Sequence, residues 1–143
     1  MPVRKAHAVW EGNLKDGQGR LSTESGTVIR EYSYRSRFTE GKGTNPEELI
    51  GAAHAGCFSM ALANALDNSG FRPKSINTRA DVHLTEKNNE FQIDWIEIHT
   101  EADVEHIDEE TFRDIANLAK NNCPVSKALS SVQISLNAKL LRV

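Results

Sequence analysis

One long segment, residues 46–69, constrains this chain more than any other. In it, apolar or small residues (Leu49, Ile50, Ala52, Ala53, Ala55, Cys57, Phe58, Met60, Ala61, Leu62, Ala65, Leu66) fall on nearly every side of a helix. A helix apolar all round must be buried all round, which one small domain struggles to do alone. Its start is written in Asn45-Pro46-Glu47-Glu48: an N-cap, a proline at the first helical position and a glutamate at the third, the order of a capping box. Gly70 supplies the stop and Pro73 follows shortly after. Gly51, Ala55, Ser59 and Ala63 recur every four residues, with Ala52 and Gly56 beside them, so another backbone can approach closely along that face. That backbone is either a second copy of the same helix or this chain's own sheet.

The flanks read as β-structure and short helices. Residues 6–10 and 27–38 have strand composition, the second introduced by the turn Ser25-Gly26, and residues 38–45, with Gly41 and Gly43, form a loop. Residues 76–84 alternate strictly, and 91–104 continue as the second strand of a hairpin after the polar turn Lys87-Asn88-Asn89-Glu90. The apolar phase of that strand shifts from Phe91, Ile93 and Trp95 to Ile96 and Ile98, which predicts a bulge or a strand covered on both faces. Asp108 caps a helix with Phe112, Ile115, Ala116 and Ala119 on one face. A short helix over 124–129 and a last strand over 132–140 complete an α+β chain. No linker, low-complexity tract or repeat divides the 143 residues, so a single domain, 1–143, is expected.

The charge balance excludes whole classes of partner. Seventeen basic and 20 acidic residues, net −3, are scattered throughout, so no basic face suits nucleic acid and no polybasic patch suits a membrane surface. The N-terminus lacks the apolar core and cleavage site of a secretory signal, and no run approaches the roughly 18 consecutive apolar residues of a membrane span. The expectation is a soluble, cytoplasmic protein whose partners are small and uncharged or apolar.

In such a compartment a spaced cysteine pair is catalytic, redox-sensing or metal-binding more often than a structural staple. Burial of Cys57 in the long helix raises its pKa above the free value of about 8.5, so it needs help to become a thiolate. His54, one turn earlier, is either a base or ion-pair partner for it or a packed histidine. Glu47 lies ten residues upstream, roughly 15 Å along a straight helix, so any contact with Cys57 comes by another route, such as an antiparallel second copy of the helix that brings the Glu47 of one chain to the Cys57 region of the other. Cys123, before Pro124, falls at a helix N-cap, where backbone N–H groups favour an anion; alternatively it is a small buried hydrophobe. Two further readings use the same residues: His54, Cys57 and Cys123 as zinc ligands, or a non-enzymatic redox sensor.

The run from Glu40 through Asn45-Pro46-Glu47-Glu48 and His54-Ala55-Gly56-Cys57-Phe58 to Leu62, with Asn122-Cys123-Pro124-Val125-Ser126, resembles the OsmC/Ohr family of thiol-dependent peroxidases, and within it the osmotically inducible branch. The likeness extends from Trp10-Glu11-Gly12 through the last strand. The resemblance implies antiparallel sheets around a long buried central helix in an intertwined homodimer. It also implies reduction of organic hydroperoxides without metal, haem or flavin. Cys57 matches the peroxidatic cysteine and Cys123 the second cysteine, which condenses with the Cys57 sulfenic acid to a disulfide that an external dithiol reduces. Glu47 matches the carboxylate that orients an activating arginine, and Arg37 matches that arginine in this branch, whereas Arg20 lies nearer the region the Ohr branch uses. An apolar site favours a substrate with an organic tail, with Phe58, Met60, Ile50 and Phe38 as candidate lining residues.

Overall fold

The first strand of the computed structural model, which describes residues 1–142, is β1 (Ala6–Glu11), paired antiparallel with β2 (Gln18–Thr23). β2 pairs in turn with β3 (Ile29–Tyr32), giving a sheet of order β1-β2-β3. Gly19 is required in β2, because a Cβ there would lie 2.4 Å from the Tyr32 ring and 2.6 Å from the Trp10 ring. The strand expected over 27–38 therefore ends at Tyr32. Ser33 starts a short helix, α1 (Tyr34–Phe38), by exchanging side-chain hydrogen bonds with Ser36 in a capping box, a local signal that overrides the strand composition.

α2 (Pro46–Asn68) starts where the sequence places it, with Asn45 Oδ1 accepting from the Glu48 N–H at 2.8 Å. The Glu48 carboxylate accepts from the Thr44 hydroxyl at 2.7 Å instead of closing a box with Asn45. At the other end Gly70 takes φ +87°, Phe71 N–H bonds to Leu66 C=O and Gly70 N–H to Asp67 C=O, a Schellman stop.

The chain divides into two compact units, Met1–Leu49 and a second beginning at Ile50. In the second, β4 (Pro73–Lys87) and β5 (Glu90–Val104) form a long hairpin whose two turn residues, Asn88 and Asn89, both have positive φ. His83 opposes Trp95 while Leu84 opposes Ile93, so Asp94 is the extra residue of a bulge that accounts for the shifted apolar phase. α3 (Glu109–Asn122) is capped by Asp108 and α4 (Pro124–Ala128) follows at once. β6 (Gln133–Leu140) pairs with β5 in parallel, so this sheet, of order β4-β5-β6, is mixed and not antiparallel throughout. The helical crossover returns the chain to the end from which β5 set out.

The core of the second unit joins one face of α2 (Phe58, Leu62, Leu66) to Ile96, Ile98 and Ala102 of β5 and to Phe112, Ala116 and Ala119 of α3. α2 is long and apolar enough to cross a membrane by length and composition, while its Phe58, Leu62 and Leu66 side chains are buried in this core. Burial is one-sided. Ala52, Ala53 and Gly56 are exposed and Met60 is 76% exposed, so this chain by itself leaves one side of the helix uncovered, in line with the expectation that one small domain struggles to bury it alone. The small-residue stripe serves the chain's own sheet: a Cβ on Gly51 would meet Ala80 O and Val82 Cγ2 at 3.3 Å, and Ser59 Oγ donates to Thr78 Oγ1 at 2.8 Å.

Candidate active site

The residues singled out by sequence fall into two pairs, one in each unit. In the first unit, α1 is fastened to the start of α2 by Ser36 Oγ donating to Thr44 C=O at 2.8 Å and Asn45 Nδ2 donating to Ser36 C=O at 3.2 Å. That fastening brings Arg37 against Glu47. Arg37 Nη2 donates to Oε1 at 2.8 Å, and Nε is 3.1 and 3.3 Å from the two carboxylate oxygens, a fork that fixes the guanidinium plane. Glu47 is buried, and the Arg37 guanidinium also sits 5.1 Å from the Phe38 ring centroid. Arg20, the other arginine considered, is exposed on β2 opposite Val9 and Glu31.

In the second unit the two cysteines meet. Cys57 and Cys123, both free thiols, have their sulfurs 3.1 Å apart, one donating its S–H to the other. Cys123 is held from both sides by its backbone: its N–H bonds to Ala119 C=O at the end of α3, and its C=O accepts from Lys127 N–H in α4. Cys123 makes no formal side-chain cap on α4, but the N–H groups of Val125 and Ser126 and the Ser126 hydroxyl lie near enough to favour its thiolate. Burial opposes that charge; the bonds from Cys57, Ser126 and Val125 together outweigh it and bring the Cys123 thiol below its ordinary value. Cys57 moves the other way, raised first by burial and then by its hydrogen bond to Cys123, against one lowering contact with Val125 N–H. Within this unit Cys123 is therefore the more acidic thiol of the pair and Cys57 the one that holds its proton more firmly. The cation expected for Cys57 is not among the groups that this unit supplies.

Access divides the pair oppositely. Cys123 is fully buried, whereas Cys57 opens into a cavity of about 500 Å³ lined by Met60, Ala61 and Ala65 of α2 and by Leu118 and Pro124. Of the other expected lining residues, Phe58 is plain core, Ile50 packs against that core, and Phe38 stays in the first unit against Tyr34 at 4.9 Å. A second hollow, about 390 Å³ on the outer face of the β4-β5-β6 sheet, is lined by polar residues such as Arg79, Glu101 and Lys139 and contains neither thiol.

His54 does not serve Cys57. Its ring is fully buried, Nε2 lies 2.8 Å from Ser126 Oγ, and burial lowers its pKa, so it is neutral and no ion-pair partner. The only three-residue group of ligating atoms among the described residues is Asp81, Glu97 and His99, where Arg79 already pairs with Asp81; His54, Cys57 and Cys123 form no such group. Ser126 and Val125 were not singled out by sequence. The signal lay in their position, two and three residues past an N-cap cysteine, where helix N–H groups turn back on the capping side chain.

A family model for OsmC-like protein matches residues 39–137. The chain is 49% identical over 138 residues to peroxiredoxin OsmC of Escherichia coli (strain K12), covering 96% of each chain. It is 27% identical over 124 residues to organic hydroperoxide resistance protein OhrB of Bacillus subtilis (strain 168), covering 85% of this chain and 89% of that one. Its fold matches the crystal structure of an organic hydroperoxide resistance protein from Elizabethkingia anophelis with a TM-score of 0.77 at 20% identity, covering 98% and 99% of the two chains.

Proposed function

The chain belongs to the OsmC-like protein family of peroxide-reducing enzymes, and on that premise we propose that it reduces organic hydroperoxides to alcohols with Cys57 as the attacking thiol and Cys123 as the resolving one. The observation that carries this order is access: the sulfurs are 3.1 Å apart, and Cys57 is the one that faces the cavity. Cys57 sulfur attacks the distal peroxide oxygen, the O–O bond breaks, and the departing alkoxide takes the Cys57 proton to leave as alcohol. The Cys57 sulfenic acid then meets the Cys123 sulfur, giving a disulfide and water. An external dithiol returns both thiols, so the cycle needs no metal or organic cofactor.

Arg37, its plane fixed by Glu47, is the cation we assign to the reacting peroxide and the Cys57 thiolate. We further propose that both units act as one functional domain within an intertwined homodimer in the cytoplasm. The small exposed face of α2, Ala52, Ala53, Gly56 and Met60, supports such a partner. An organic tail gains roughly 25 cal/mol for each Å² it buries in the apolar cavity, a gain that hydrogen peroxide does not make.

Thiol titration before and after one equivalent of cumene hydroperoxide tests the assignment. Wild type should lose two thiols, Cys57→Ser should consume no peroxide, and Cys123→Ser should react once and then over-oxidise. Exchange of the two mutant behaviours would reverse the roles, and a wild type that stops after one turnover with excess dithiol present would make the protein a sensor.

A further inference from the structure

We propose that His54 is a positioning residue for the resolving thiol: its Nε2–H, given to the Ser126 hydroxyl, makes that hydroxyl a fixed hydrogen-bond donor to Cys123 Sγ. The inference rests on the reading of Cys123 as the resolving cysteine.

A fully buried imidazole calls for partners at both nitrogens, because each leaves water on folding. His54 has one. Nε2 is 2.8 Å from Ser126 Oγ, while Nδ1 is the single buried side-chain N or O atom among the described residues with no partner. The orphan selects the tautomer. Were the hydrogen on Nδ1, a buried N–H would go unpaired, and Ser126 would have to give its only hydrogen to Nε2 with none left for the sulfur. With the hydrogen on Nε2 the unpaired atom is a bare lone pair, which folded proteins tolerate better than an orphaned donor. Ser126 oxygen then accepts from His54, and its own hydrogen is free to turn toward Cys123, three residues back at the N-cap of α4, whose charged form that hydroxyl favours. The serine, itself buried, has no other side-chain partner among the described residues.

The chemistry this serves is the second half of the cycle. Cys123 thiolate supplies the electron pair of the new S–S bond to the Cys57 sulfenic sulfur; the S–O bond breaks, and the oxygen leaves with that bond's pair as hydroxide, which the proton that Cys123 released to solvent on ionising converts to water. Only the thiolate does this well. The groups that set its ionisation are Cys57 on α2 and Val125 and Ser126 on α4, with His54 standing behind Ser126; no charged side chain is among them. Removing the serine donor, or the histidine that aims it, should therefore act directly on the charge of Cys123. His54 itself exchanges no proton in the step.

In a Cys57→Ser background Cys123 is the sole thiol, and its ultraviolet thiolate absorbance can be titrated without any peroxide. Ser126→Ala and His54→Leu should each leave about tenfold less thiolate at neutral pH, the effect of losing one hydrogen bond to a charged group. The double variant should be no worse than either single one, and His54→Gln, whose amide carries an N–H to about the place of Nε2, should recover most of the loss. In the two-cysteine protein, single-turnover stopped flow should find sulfenic acid formation unchanged and disulfide formation about tenfold slower in the same variants. Should His54→Leu fail to fold, Ser126→Ala and His54→Gln carry the titration.

Unchanged titration in Ser126→Ala, or effects of His54→Leu and Ser126→Ala that multiply, would overturn the proposal. Wild type that forms no disulfide after one equivalent of cumene hydroperoxide would instead remove Cys123 as resolving thiol, a failure that the peroxide-free titration keeps distinct.

Discussion

Oxidation of the cysteine pair should stabilise the protein by an amount set by the loop it closes. Cys57 and Cys123 are separated by 66 positions and their sulfurs stand 3.1 Å apart, so a bond needs only a small approach from geometry already formed. Cross-linking a loop of that length removes denatured-chain entropy equivalent to about 4 kcal/mol at 25 °C. Losing the S–H···S hydrogen bond offsets about 1 kcal/mol. The remaining gain, about 3 kcal/mol, should raise the urea midpoint by about 1.5 M for an m-value of about 2 kcal/mol/M. A Trp10→Phe background leaves Trp95, on β5 in the cross-linked unit, as the fluorescent reporter. Unfolding would be followed after one equivalent of cumene hydroperoxide, with and without dithiothreitol, and Cys123→Ser should gain nothing. An oxidised protein that unfolds at the same urea concentration as the reduced one, or that runs as a covalent dimer on a non-reducing gel, would refute a cross-link closed within one chain.

Replacing Glu47 by Gln removes the charge that holds Arg37 in its fork; hydroperoxide kcat/KM should fall by about tenfold while stability, measured in urea, changes by less than about 1 kcal/mol because the arginine is partly exposed. Across linear alkyl hydroperoxides, each methylene that enters the Cys57 cavity is worth about 0.8 kcal/mol, so kcat/KM should climb roughly fourfold per carbon until the tail outgrows the cavity, and a flat series would disconnect the cavity from substrate. Burial lowers the pKa of His54, so below its ordinary value of 6.5 the unfolded chain binds a proton that the native state refuses. Its contribution to stability is complete above that pH and falls on acidification, with a slope approaching about 1.4 kcal/mol per pH unit. His54→Gln should flatten that part of the urea-midpoint profile.

The local signals that proved reliable are those in which the chain must satisfy its own backbone. Asn45 and Asp108 cap their helices, Gly70 stops α2, and Asn88-Asn89 turns the hairpin, each for reasons contained in a few residues. The bulge at Asp94 was legible because side chains alternate strictly along a regular strand, so an apolar set that changes face needs an extra residue or a second covered face. β2 carries no such signal. Gln18–Thr23 is mostly polar, and the reason Gly19 belongs there, two aromatic rings from neighbouring strands, is a tertiary fact. α1 was masked because Ile, Tyr and Arg suggested a strand, while the deciding contact was one reciprocal serine pair. At the site, the spacing of Cys57 and Cys123 nominated both thiols, but which of them is the more acidic depends on where α4 places its N–H groups, and which is open depends on the packing around the cavity. The partner of His54 lies 72 positions away, beyond any local pattern.

That division makes the role of Arg37 testable. On the proposed reading peroxide meets Cys57, the sulfur whose pKa burial and its neighbour raise, while Cys123 is the more acidic thiol and is fully buried. Two sources can make Cys57 nucleophilic: passage of its proton across the 3.1 Å contact to Cys123, which needs nothing outside the second unit, or a cation brought from elsewhere. The first predicts that sulfenic acid forms in Arg37→Gln as fast as in wild type but slows in Cys123→Ser. The second predicts the reverse. A guanidinium near a thiolate is worth at least about 1.5 kcal/mol, about a tenfold rate, so the two are readily separated by stopped flow with a sulfenic acid trap. We expect Arg37→Gln to slow sulfenic acid formation by about tenfold or more and Cys123→Ser to leave it nearly unchanged. Equal rates in Arg37→Gln and wild type would return the activation of Cys57 to its sulfur neighbour and leave the Arg37–Glu47 pair a structural clasp.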